Sequence, residues 1–144
     1  MDWVIDDAIY NSESTPEHLD GIKKNIYFIE DDIIVFNEIL DPTSFTYDLQ
    51  FGNLRKLTQH LDKYYLIINV ADAKRPNAEN RAKIKSEFKK ISHKVQHVCV
   101  VTGENFWTNT LANFILRGTG YKSFITCKEF DKAKKIIDEI RILN

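Results

Sequence analysis

Apolar residues recur along most of this chain in two alternating patterns, short β-branched runs and stripes at helical spacing. Ile26-Tyr27-Phe28-Ile29 and Ile33-Ile34-Val35-Phe36 flank Glu30-Asp31-Asp32, which predicts a β-hairpin with a tight polar turn. Asp41 before Pro42 offers an N-cap and a first helical residue. Tyr47, Phe51, Leu54, Leu57 and Leu61 then continue as the stripe of a first helix, with Gly52 a weak point in its middle. Tyr64 to Val70 is a nearly continuous apolar run, the pattern of a central strand covered on both faces. After Pro76, a cap at Asn77 opens a second helix in which Ile84, Phe88, Ile91 and Val95 share one face.

His97-Val98-Cys99-Val100-Val101 repeats the buried-strand pattern and stops at Thr102-Gly103. Asn105 to Arg117 groups Trp107, Leu111, Phe114 and Ile115 into a third helix ended by Gly118. Tyr121 to Thr126 predicts a last strand, and Phe130, Ala133, Ile136, Ile137 and Ile140 the face of a terminal helix. The order β-β-α-β-α-β-α-β-α predicts an α/β fold: a hairpin, then a mainly parallel sheet with helices packed on it. Residues 1–22 lack a period and contain the turn formers Asn11 to Pro16. They are read as an N-terminal extension with one short ordered piece around Trp3, Val4 and Ile5, and residues 23–144 as the domain.

A length of 144 residues, 43% hydrophobic and 28% charged, fits one globular domain. No apolar run reaches the roughly 18 residues of a membrane span, and Met1 to Tyr10 lacks the basic start and apolar centre of a signal peptide. The expected location is the cytoplasm. Cys99 reads as a buried thiol and Cys127 as a strand-end cysteine, so no disulfide is expected. A homodimer is expected only because such assemblies are common.

The net charge of −1 hides a polarity: residues 1–50 carry 12 acids and two lysines, while Lys74 to Val98 carries eight bases and two acids. The acidic first third argues against nucleic-acid binding, and the bases fall on the predicted outer face of the second helix. His18, His60, His93 and His97 are scattered without metal-ligand spacing, so no metal is expected. Nucleophile and phosphate-loop signatures are absent, and Gly118-Thr119-Gly120 follows a helix where a phosphate loop must precede one. Neither a catalytic activity nor a cofactor is expected.

Ligands of open α/β sheets bind beyond the carboxyl ends of the strands, here Asp72, Thr102-Gly103 and Thr126-Cys127. A helix start next to Arg75 and Arg81 suits an anion. The candidate binding surface is Asp72, Arg75, Asn77, Arg81, Thr102 and Gly103. The third helix is apolar over more than one face, so Phe106, Trp107 and Leu116 form a second candidate, for an apolar partner or lipid-like ligand, with core packing the alternative.

The pattern of hairpin, helix, Leu66-Ile67-Ile68-Asn69-Val70-Ala71-Asp72, helix, Val98-Cys99-Val100-Val101-Thr102-Gly103, helix, strand, helix resembles the STAS domain (sulfate transporter and anti-sigma factor antagonist), especially its SpoIIAA-like branch. Asn77-Ala78-Glu79-Asn80-Arg81, Leu111-Ala112-Asn113-Phe114 and the ending from Phe124 through Ala133 to Ile137 carry the likeness. It implies a non-enzymatic regulatory module that binds a protein partner or, in some relatives, a small molecule or lipid. Anti-sigma factor antagonists are switched by phosphorylation of a serine at the start of the helix after the third strand, but Asp72 to Ala78 contains no Ser or Thr. Two alternatives stand beside this reading. A response-regulator receiver would use Asp31 and Asp32 with Asp72, then Thr102 and Lys128, and a carrier of lipid or another small apolar ligand would use the third helix.

Overall fold

The computed structural model describes residues 3–5, 8–10, 24–38, 42–104 and 106–143. Strands β1 (Trp3–Ile5) and β2 (Ala8–Tyr10) pair antiparallel, so the short piece expected around Trp3 is a hairpin, apart from the main sheet. That sheet has five strands in the order β3 (Ile26–Glu30), β4 (Ile33–Asn37), β5 (Tyr64–Asn69), β6 (Val95–Val101) and β7 (Phe124–Cys127). The β3–β4 pair is antiparallel and the other three pairs are parallel. Helices α1 (Ser44–Leu57), α2 (Ala78–Ile91) and α3 (Phe106–Gly118) connect the parallel strands, and α4 (Phe130–Leu143) follows β7.

The three parallel connections all step the same way across the sheet, so a common hand places their helices on one face. Strand alternation supplies that face with Ile34, Phe36, Leu66, Val98 and Val100, which meet Phe51 and Leu54 of α1, Phe88 of α2 and Leu116 of α3. The opposite face presents Ile33, Val35, Ile67, Cys99 and Val101 to Ala133 and Ile137 of α4. Strands buried from both sides need apolar residues at every position, which is why Ile33 to Phe36, Tyr64 to Ile68 and Val98 to Val101 read as unbroken runs.

Helix α1 begins two residues later than Asp41-Pro42 suggests. Thr43 is its N-cap: the Thr46 N–H donates to the Thr43 hydroxyl (3.2 Å) and the Thr43 N–H to the Thr46 hydroxyl (2.8 Å). This reciprocal box satisfies two backbone donors at once. Asp41 lies outside the described residues.

The acidic hairpin turn anchors the terminal helix. Glu30 receives Arg141 (3.0 Å) and Lys134, and Arg141 also reaches Asp32 at 3.2 Å. Hydrogen bonds from Lys134 and then Arg141 hold the Glu30 carboxyl below its ordinary pKa. The receiver arrangement does not form. Asp31 and Asp32 lie at the amino end of β4, whereas Asp72 follows the carboxyl end of β5, parallel to it, about 16 Å of strand away.

His97 lies on the α4 face, in register with Tyr65, and its Nε2 is buried without a hydrogen-bond partner among the described residues. Burial lowers its pKa. Between that folded value and the unfolded value of about 6.5, the unfolded chain binds more protons, so stability falls as pH drops through this window. Urea midpoints are therefore expected to fall between pH 7.5 and 5.5, and His97→Phe to flatten that slope. Parallel slopes for wild type and variant would show that His97 does not titrate this way.

Candidate functional site

The carboxyl ends of the strands are stitched together by backbone hydrogen bonds beyond the sheet itself. The Glu38 N–H donates to Asn69 O (2.9 Å), Val70 N–H to Val101 O (3.0 Å) and Thr102 N–H to Cys127 O (2.8 Å). Thr102, buried, adds its hydroxyl to the Cys127 carbonyl at 3.3 Å. Gly103 follows with φ +59, and a Cβ there would lie 2.9 Å from the Cβ of Ala71. Glycine is therefore required both by the left-handed backbone and by the close approach of the turn after β5.

That turn leads into a ledge of polar side chains. Asn69 Oδ1 accepts from the Ala71 N–H (3.1 Å), and the Ala73 N–H donates to Val70 O (3.2 Å), which fixes the exit from β5. Asn77 caps α2, its side chain accepting from the Asn80 N–H at 2.8 Å. The Arg81 guanidinium donates to Pro76 O (3.0 Å), and Asn80 Nδ2 reaches Pro42 O (3.3 Å). Asp72, Lys74, Arg75, Asn77 and Glu79 stand exposed on this braced segment.

Behind the ledge, between the sheet and α1–α3, the side chains leave a pocket of about 100 Å³. Its floor is Phe36, Leu66, Ile68 and Val100, and Phe51, Ile84, Phe88, Ile115 and Leu116 close it from the helices. Ala73, Lys74 and Pro76 of the ledge form one wall, and exposed Lys74 marks its approach to solvent. The polar contribution comes from Glu38, Tyr47 and Lys74. Glu38 accepts from Gln50 Nε2 at 2.9 Å and from the Tyr47 hydroxyl. Burial, with the charge of Glu38 and its hydrogen bond behind it, pushes the Tyr47 phenol far above its ordinary pKa, so it stays neutral.

Comparison of the whole fold with solved structures finds an uncharacterized protein of the DUF3478 family with a SpoIIAA-like fold, from Shewanella loihica PV-4. The two superpose with a TM-score of 0.59 at 14% identity, over 76% of this chain and 88% of the other. This chain has the SpoIIAA-like fold. No family model matches the sequence, and no curated protein matches it.

The SpoIIAA-like fold brings five of the sequence candidates, Asp72, Arg75, Asn77, Thr102 and Gly103, to one end of the sheet, with Arg81 turned back onto the same loop. It separates them by role. Thr102 and Gly103 hold strand ends, whereas Asp72, Arg75 and Asn77 face solvent. Leu116, a candidate for an outer apolar surface against the reading of core packing, is only 4% exposed and lines the pocket, as core packing requires. The side chains of Phe106 and Trp107 lie outside the described set. Sequence reasoning missed Glu38, Gln50 and the pocket itself. The available signal was a polar residue, Gln50, at helical spacing from Tyr47 and Leu54 on the apolar stripe of α1, where the structure buries it.

Chemical activation is not evident among the described residues. Burial, then Cys127, pushes the Cys99 thiol up to about 12, and burial raises Cys127 as well, so neither is a ready thiolate. No three His, Cys, Asp or Glu side chains among the described residues converge to hold a metal ion. No helix among them is long and apolar enough to cross a membrane.

Proposed function

We propose that the chain is a non-catalytic regulatory module of STAS type, working in the cytoplasm, that docks a protein partner through the ledge between β5 and α2. One observation carries this reading: Asp72, Arg75 and Asn77 are exposed on a segment whose backbone is braced at both ends, by the Asn69 turn and by the Asn77 cap. A preorganised polar ledge binds with little ordering cost. The raised pKa values of Cys99 and Cys127 support binding rather than thiol-based turnover. Because Asp72 to Ala78 has no Ser or Thr, control by phosphorylation of this segment is not part of the proposal.

Photo-crosslinking in the protein's own cells tests it. A crosslinker in place of Arg75 is expected to give one discrete adduct, and one in place of exposed Lys56, at the opposite end of the sheet, none. Charge reversal, Arg75→Glu, is expected to weaken binding of the identified partner by about tenfold, the scale of one lost arginine anchor. Equal labelling from both positions, or no adduct from position 75, would sink the reading.

A further inference from the structure

We infer that the outer face of α2, on the flank where it meets α3, is a docking surface for an acidic helix of a protein partner. The charges of α2 divide between its two flanks. Towards α1 the bases are answered by acids: Lys83 meets Asp48 and Glu87, and Lys90 meets Glu87. Towards α3 the pattern differs. Arg81, Lys85 and Lys89 follow one another at four-residue spacing, which places them in one row along the helix. Ala78, Ala82 and Ser86, all exposed, run beside that row, and the six residues line a groove of about 360 Å³ with no carboxylate among them. The row continues onto α3. A Cβ on Gly118 would lie 2.6 Å from Lys85 Cε and 2.7 Å from its Nζ, so Lys85 lies across the end of that helix. Exposed Arg117, the only charged residue of α3, stands next to that glycine in the chain.

The occupant follows from charge and shape. Like charges gathered on one face repel, and an anionic partner relieves that repulsion, which steers its approach and fixes its register. A lipid surface is flat and takes up exposed large apolar side chains. Here the exposed floor is two alanines and a serine in a concavity. A helix suits it, because the side-chain ridge of one helix packs into the groove between the rows of another, and short side chains at the contact bring the axes close. Glutamates four residues apart on such a helix repeat at about 6 Å, the same rise that separates Arg81, Lys85 and Lys89.

Amide NMR of the full chain at low salt, where surface charges are least screened, tests the inference with two synthetic helices. One is alanine-rich with glutamate at every fourth position, and the other carries glutamine in the same places. The glutamate helix is expected to shift the amides of Ala82, Ser86 and Gly118 and to bind at least about tenfold more tightly than the glutamine helix. Lys85→Glu with Lys89→Glu is expected to abolish those shifts. Lys132→Glu with Lys135→Glu, which reverses exposed charges on α4 across the sheet, is expected to leave them unchanged. The inference is overturned if the two helices bind equally, if neither moves these amides at millimolar concentration, or if the α4 pair removes the shifts as well. Vesicles containing phosphatidylserine that move the same amides more strongly than the glutamate helix would also overturn it. Arg75 lies outside the groove, so the cross-linking result at that position and this one can fail separately.

Discussion

Replacing Arg55 with alanine is expected to destabilise the protein by about 3 kcal/mol at neutral pH. Glu87 of α2 is 2% exposed and receives Arg55 of α1 at 2.7 Å, with Lys90 at 3.1 Å and Lys83 at 3.5 Å. Removing one partner of a buried pair costs about 3–5 kcal/mol; the lower end applies because Lys90 and Lys83 still face Glu87 and Arg55 keeps part of its surface in water. Burial alone would raise the Glu87 pKa, but the hydrogen bonds from Arg55 and Lys90 outweigh it and the net shift is downward. A depressed carboxyl pKa stabilises the fold above the unfolded value of about 4.3 and loses that contribution as pH falls through the folded value. Arg55→Ala raises the folded value, so the gap between variant and wild type is expected to shrink as pH is lowered from 7 towards 4. Replacing both groups, Arg55→Leu with Glu87→Leu, is expected to recover most of the loss. Urea midpoints at several pH values measure all three, and a gap independent of pH would show that Glu87 is not the group responsible.

Gly103→Ala is expected to cost about 2–3 kcal/mol. Its φ of +59 is unfavourable for any residue with a Cβ, by about 1–2 kcal/mol. The added Cβ would also meet that of Ala71 at 2.9 Å, a contact that requires the backbone to give. The two parts separate in a double-mutant cycle, since Ala71→Gly removes the collision and leaves the dihedral strain. Recovery of roughly 1 kcal/mol in the double variant is expected by urea unfolding. Full additivity would mean that the turn after β5 moves aside freely. In that case the ledge is not held by this approach, and its amides should exchange no faster in the single variant.

Much of the architecture was legible because it rests on short-range periodicity. Tyr64 to Ile68 and Val98 to Val101 are apolar on both faces, the pattern of strands covered twice, although β6 begins at Val95, which its spacing puts on the face of the second helix. The Asn77 cap was legible for the same local reason, since Asn, three residues before a free N–H, closes its own helix start. Boundaries were less so. Tyr121 was assigned to the last strand, but β7 begins at Phe124 and the Tyr121 hydroxyl donates to Val95 O at 2.8 Å, a partner 26 residues away. The basic run after Lys74 was read as a solvated helix back. For Lys89 that holds, whereas Lys83 and Lys90 are drawn to the buried Glu87, whose burial no local pattern signals.

The order of elements, the hairpin opening, the parallel sheet and the end of it where Asp72, Thr102 and Gly103 fall were determined by the sequence alone, because spacing of two or of three to four residues specifies each element and connection rules limit how they join. Only the tertiary structure decided which of those residues face solvent, and that Leu116 turns inward. It also decided that Phe36, Leu66, Phe88 and Leu116, drawn from four elements, leave a volume between them. A pocket is the remainder after many distant side chains have packed, and no local spacing encodes a remainder.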